Sequence, residues 1–263
     1  MKFALIDGVK TKAQPNLVAQ CPNCGKQVRS YCGNQIINHW KHIKLNECDT
    51  WYERETEWHR EWKNHFDIEY QEVIRFDNKT NEKHIADVYN SKKDVVLEFQ
   101  HSPINTDEIQ ARELFYNRMI WIIDLTSIKK NLEFINKKFK IETVLNRMSH
   151  NLPKDFKVSE EFKMSESQNK VSEYLDRMGI SSINTKESHY LSELEKKYTT
   201  LCNRKDHFLM TWKHLHKRWD FSTKPKFIDI GDNNIYQLIE RIEIGSAYIV
   251  KKYSKSHFIN HYQ

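Results

Sequence analysis

The run Asp87-Val-Tyr-Asn-Ser-Lys-Lys-Asp-Val-Val-Leu-Glu98-Phe-Gln100 constrains the fold more than any other part of the chain. Val95, Leu97 and Phe99 alternate with Val96, Glu98 and Gln100, so a strand here projects Glu98 and Gln100 from one face. Residues 85–89 read as a second strand carrying Asp87, and Asn90-Ser91-Lys92-Lys93 supplies a hairpin turn. Antiparallel pairing across that turn brings the Asp87 and Glu98 carboxylates together. Close carboxylates repel unless a cation lies between them, and hard oxygen ligands suit magnesium or manganese. The plainer alternative is two exposed acids on a hairpin.

The sequence beyond the hairpin extends the same sheet. Asn105-Thr106-Asp107-Glu108 has the chemistry of a helix N-terminus and opens a helix to about residue 118. Residues 119–124 (Met-Ile-Trp-Ile-Ile-Asp) form a short buried strand, completing a strand–helix–strand unit with a parallel pair. An antiparallel hairpin followed by this unit predicts an α/β fold, a mixed sheet flanked by helices. A strand is expected at 3–6, another over 68–76, and a helical segment within 50–66. A polar, lysine-rich stretch from Lys129 to about Gly179 carries helical pieces such as 171–178. A helix at 191–201 and strands near 227–231, 235–242 and 247–250 follow. The expected organisation is 1–50, 51–127 and 128–263: an N-terminal strand and metal-binding module, the sheet core, and a basic α+β extension.

Cys21-Pro-Asn-Cys24-Gly25 has the form of a zinc knuckle, in which a tight turn offers two thiolates to one metal. His39, His42 and Cys48 follow, and a hairpin around Gly33 can return the chain to the metal. Tetrahedral zinc takes four ligands, so five candidates compete for four places. Cys21, Cys24, Cys48 and one of the two histidines are the expected set. No water-activating geometry is visible, so the site reads as structural. Cys32 and Cys202 read as packing residues. A metal-binding rather than disulfide-bonded use of cysteine, with no secretory segment and no bilayer-length apolar run, places the chain in the cytoplasm without a membrane partner.

The net charge of +6 is unevenly spread. Residues 196–226 hold nine Lys and Arg against only Asp206 and Asp220, interleaved with Trp212, Trp219, His214 and His216. That footprint is compatible with a phosphate backbone, with Lys213, Lys217 and Arg218 as DNA contacts; a solvated helix face is the alternative. Glu55, His59 and Lys63 recur at i, i+4, i+8 and would share one helix face. Arg112 and Tyr116 share a face one turn apart and could reach a phosphate or brace the sheet.

Taken together the segments resemble the competence protein CoiA-like family. The matching pieces are Cys21-Pro-x-Cys24, His39-x-x-His42, Cys48-Asp49, Glu55-x-x-x-His59, Ile85-Ala-Asp87-Val, Leu97-Glu98-x-Gln100-x-Ser102-Pro-Ile, Arg112-x-x-x-Tyr116 and Ile120-Trp-Ile. The resemblance implies a zinc finger joined to a PD-(D/E)XK-type, restriction-endonuclease-like nuclease core, with roles in natural transformation or phage defence. By position, Asp87 and Glu98 match the metal-binding acids and Glu55 the acid supplied by the first helix. Gln100 stands where many relatives of the wider superfamily have lysine. An amide carries no charge to stabilise a pentavalent phosphate, so a metal or another lysine must supply it, and Lys63 is the candidate. The expected function is a magnesium- or manganese-dependent deoxyribonuclease. Its rivals are an inactive DNA-binding module and a structural subunit working with recombination or defence proteins.

Overall fold

Asp7 and Gly8 both take positive φ (49° and 77°), the backbone that a two-residue hairpin turn requires. They join β1 (Phe3–Ile6) to β2 (Val9–Lys12). With β3 (Val18–Gln20), β4 (Gln27–Gly33) and β5 (Ile36–His42) these form an antiparallel sheet in the order β2-β1-β3-β4-β5. Its small core gathers Ala4, Ala19, Cys21, Val28 and Trp40, with Cys32 packed at its margin as expected. The computed structural model describes residues 1–44, 48–135, 182–212, 217–242 and 247–263. The expected helical pieces between Lys129 and Gly179, 171–178 among them, fall almost wholly outside those residues.

Helix α1 (Glu57–Asn64) starts at Thr56, whose hydroxyl accepts from the His59 backbone N–H while the His59 ring accepts from the Thr56 N–H. The helix is shorter than the tryptophan spacing suggested, and Glu55 lies outside it, one residue before the cap. A single 3₁₀ turn (Ile68–Tyr70) precedes β6 (Gln71–Phe76), so the strand expected over 68–76 is cut short at its start. Glu72 sits at φ 46°, a left-handed backbone that no run of alternating residues announces.

From β6 the chain runs into β7 (Lys83–Asn90) and β8 (Val95–Gln100), both antiparallel to their predecessors, the β7–β8 pairing as expected. Helix α2 (Thr106–Tyr116), capped by the Asn105 side chain on the Glu108 N–H, then crosses to β9 (Met119–Asp124), which pairs parallel to β8. Every residue of β8 is buried. Leu97 and Phe99 pack with Trp62 and Phe66, while Glu98 meets Arg112 of α2. The sheet is therefore mixed and covered by helices.

Strand β10 (Leu132–Ile135), helix α3 (Ser182–Cys202) and β11 (His207–Trp212) follow, then β12 (Lys226–Asp229), β13 (Asn234–Arg241), β14 (Ala247–Ser254) and α4 (Lys255–Tyr262). The chain forms two compact units that do not follow three consecutive segments. Residues 216–237 and 253–263 return to the first, and 130–215 with 238–252 make the second. In the first unit β12 pairs parallel to β9, extending the order β12-β9-β8-β7-β6. In the second, β11 lies between β10 and β14, and α3 lays Tyr190, Leu194, Tyr198 and Cys202 against Leu209 and Ile249. Their four-residue period is that of one helix face.

Candidate metal and carboxylate site

The register of β6, β7 and β8 sets three acids in one row. Val73 pairs with Ala86 and Gln71 with Val88, which puts Glu72 level with Asp87; Val88 pairs with Leu97, which puts Asp87 level with Glu98. At this row side chains take over from the backbone ladder. The Asp87 N–H donates to Glu98 Oε1 at 3.2 Å, and the Phe99 N–H donates to Asp87 Oδ2 at 3.0 Å. Beside this row lies a partly open cavity of about 70 Å³ lined by Glu53, Glu55, Lys63, Glu72, Asp87 and Glu98, among others.

Lys63 enters this row from α1. Its ammonium lies 2.8 Å from Glu55, 3.1 Å from Glu72 and 3.4 Å from Asp87. Burial alone would favour neutral lysine, but Glu72, Glu55 and Asp87 hold its pKa well above the ordinary value. Burial likewise works against the Glu72 anion; Lys63 and the Lys2 and Phe3 backbone N–H groups overcome it and hold Glu72 at about 2. Glu55 is also held low, its burial outweighed by Lys63. The expected union of Glu55 and Lys63 is present, although Glu55 reaches it from the cap region.

Glu98 behaves in the opposite sense. Burial and the neighbouring Asp87 charge push it up to about 8, against the pull of Arg112, whose Nη1 donates to Glu98 Oε2 at 2.9 Å. Arg112 also bonds Glu108 and the Trp51 carbonyl, and with Tyr116 it is buried. Both residues line the cavity. His59 is bound at both ring nitrogens, Nε2 to the Phe99 carbonyl at 2.9 Å and Nδ1 to Thr56, and so fixes α1 to β8. Gln100 donates to Glu53 at 2.9 Å and to the Ser102 carbonyl at 2.8 Å, while its buried Oε1 has no partner. Glu53, rather than Gln100, faces the cavity.

The second site gathers Cys21, Cys24, His42 and Cys48, whose ligand atoms all lie within 4.8 Å of one another. Cys21 Sγ is 3.5 Å from Cys48 Sγ, and Cys24 Sγ is 3.3 Å from His42 Nε2. Three thiols and one imidazole at this separation can hold a zinc ion. Burial and the Cys21 thiol push Cys48 up to about 12, and a coordinated metal would replace those thiol protons. His39 is not a member: its Nδ1 lies 2.7 Å from the Ile37 carbonyl and its ring stacks on Tyr31. Positions three apart on a strand point to opposite faces, so His39 and His42 of β5 could not both serve. That signal was available in the spacing.

Sequence reasoning passed over Glu72, Glu53 and the role of Asp49. Asp49 follows the candidate ligand Cys48, and its carboxylate is 2.8 Å from His84 Nδ1 and accepts from the Ile85 N–H at 2.8 Å. The basic stretch reads differently in three dimensions. Trp212 and Trp219 are core residues, 1% and 4% exposed, and not stacking surfaces. Arg218 donates to the Ile104 carbonyl at 2.8 Å. Lys213 and the Lys217 side chain lie outside the described residues.

The first unit thus carries clustered acids with a buried lysine on the mixed sheet and, at the antiparallel sheet, a Cys₃His set that could hold a metal. Residues 57–173 match the family described as "Competence protein CoiA, nuclease-like domain", and the resemblance to the CoiA-like family is borne out over that segment. No curated protein and no solved structure matches the chain.

Proposed function

We propose that the protein is a divalent-metal-dependent deoxyribonuclease with a restriction-endonuclease-like core, acting in DNA processing of the competence or defence kind. The observation that supports it most is the row Glu72–Asp87–Glu98 with Lys63 buried among its carboxylates. The donor set fits a hard cation. Burial and then the Asp87 charge raise Glu98, so a cation between these two carboxylates would relieve their repulsion. Asp87, with its side chain 23% exposed, and Glu98 would hold magnesium or manganese, with Glu55 or Glu53 assisting. Such an ion supplies an activated water and charge neutralisation at the phosphate.

The chain's own residues do the rest. Lys63 holds a permanent positive charge at the head of the acid row, the charge that Gln100 cannot carry. Arg112 fixes the Glu98 carboxyl, and Gln100 holds Glu53 toward the cavity. The zinc module completes the wall through Asp49. The test is incubation of the purified protein with linear, circular and single-stranded DNA in magnesium, manganese or EDTA. Cleavage that needs the added cation supports the reading. Salt-sensitive binding without cleavage under any condition would favour the inactive DNA-binding module.

A further inference from the structure

Beside the acid row lies a second, larger cavity of about 460 Å³, lined by His39, Trp40 and Lys41 of β5 and by Tyr52, Arg54 and Ile85, among others. The two cavities share Met1, Asp49, Tyr52 and Ile85, so they adjoin along one wall. The smaller one has room for an ion and a few waters, and a nucleotide must lie outside it. The larger one has the volume for a base with its sugar.

We propose that this cavity is a binding site for one unpaired nucleotide flanking the phosphate at the acid row. The proposal rests on the nuclease reading and narrows its substrate class to nucleic acid that is single-stranded at that point. Three features carry it. Trp40, Ile85 and Met1 give apolar walls, and Tyr52, 42% exposed, adds an aromatic ring to the lining, the kind of group on which bases stack. Lys41 and Arg54 add positive charge suited to a phosphate, and Arg54 makes no hydrogen bond or ion pair with the described residues. Asp49, the one acid among the described residues of the lining, is engaged by His84 and the Ile85 N–H on the wall shared with the acid row. A base inside duplex DNA is stacked on both faces and cannot enter a recess; only an unpaired or extruded one can.

The test uses the full, zinc-loaded chain without added divalent ion, so that binding is read apart from cleavage. An oligonucleotide with a single 2-aminopurine is titrated as a single strand and as the matching duplex, into wild type, Tyr52→Ala, Tyr52→Phe, Arg54→Ala and the exposed control Lys79→Ala. Zinc content and circular dichroism confirm folding of each. The expected result is tighter binding of the single strand than the duplex, with quenching of the probe. Tyr52→Ala and Arg54→Ala should each weaken binding by about tenfold, while Tyr52→Phe and Lys79→Ala remain like wild type. Equal affinity of wild type, Tyr52→Ala and Arg54→Ala for the single strand, or preference for the duplex, overturns the proposal. Tyr52-dependent binding in a protein that never cleaves would sink the nuclease reading and leave the nucleotide site. Cleavage that depends on Asp87 but is indifferent to Tyr52 and Arg54 would do the reverse.

Discussion

At the scale of single residues, Lys63 and Glu98 are the two groups whose surroundings most alter their chemistry. Lys63 pairs with Glu55, Glu72 and Asp87 in a largely buried setting. Removing one partner of a buried ion cluster leaves charge without compensation, at a cost of about 3–5 kcal/mol. Lys63→Met should therefore lower the unfolding free energy by an amount of that order, read as a lower urea midpoint, and abolish cleavage; an unchanged midpoint would show that the acids do not depend on it. Glu98 makes a different prediction. Its folded pKa of about 8 lies above its ordinary 4.5, so the folded state holds the extra proton between those values. Stability without metal should fall as pH rises through that window, as linkage requires. A cation must displace that proton, so Mn²⁺ affinity should climb by roughly tenfold per pH unit below about pH 8 and level off above it. Calorimetric titration at several pH values would reveal the slope, and a flat profile from pH 6 to 8 would remove Glu98 from the ion.

At the scale of elements, residues 48–53 tie the zinc-binding cluster to the acid row. Cys48 belongs to the cluster, Asp49 grips β7 through His84 and Ile85, the Trp51 carbonyl accepts from Arg112, and Glu53 accepts from Gln100 and the Ser102 N–H. A structural zinc ion contributes on the order of 10 kcal/mol in small modules. Cys21→Ser with Cys24→Ser should lose the zinc and, through this segment, speed amide exchange in β7 and weaken Mn²⁺ binding several-fold. Zinc absent from wild-type protein by elemental analysis, or β7 exchange unmoved in the double variant, would contradict the coupling. The hairpin of β7 and β8 was legible because alternation and turn chemistry agree over residues 85–100. Glu72 was not legible, since its positive φ interrupts the pattern of β6 and nothing in a polar residue's neighbours signals that conformation. Glu55 was found for a reason only half right: helical spacing linked it to Lys63, whereas the contact is made from the residue before the cap.

At the scale of the whole molecule, the mixed sheet followed from a hairpin succeeded by a strand–helix–strand unit. The return of β12 beside β9 did not, because a parallel neighbour a hundred residues later leaves no local mark in the sequence. The same limit applies to Trp212 and Trp219, which the sequence shows only as interleaved with basic residues and which tertiary packing makes core. Among the described residues no helix is long and apolar enough to cross a membrane. The central claim is that the acid row cleaves DNA with a bound cation. It is tested most directly by following one end-labelled DNA at several Mg²⁺ concentrations with wild type, Asp87→Ala and Glu98→Ala, each checked for fold and zinc. The expected result is magnesium-dependent cleavage by wild type and a loss of about a hundredfold or more in both variants, the lower end for removing one catalytic group, with DNA binding retained. Cleavage that survives both substitutions would contradict it.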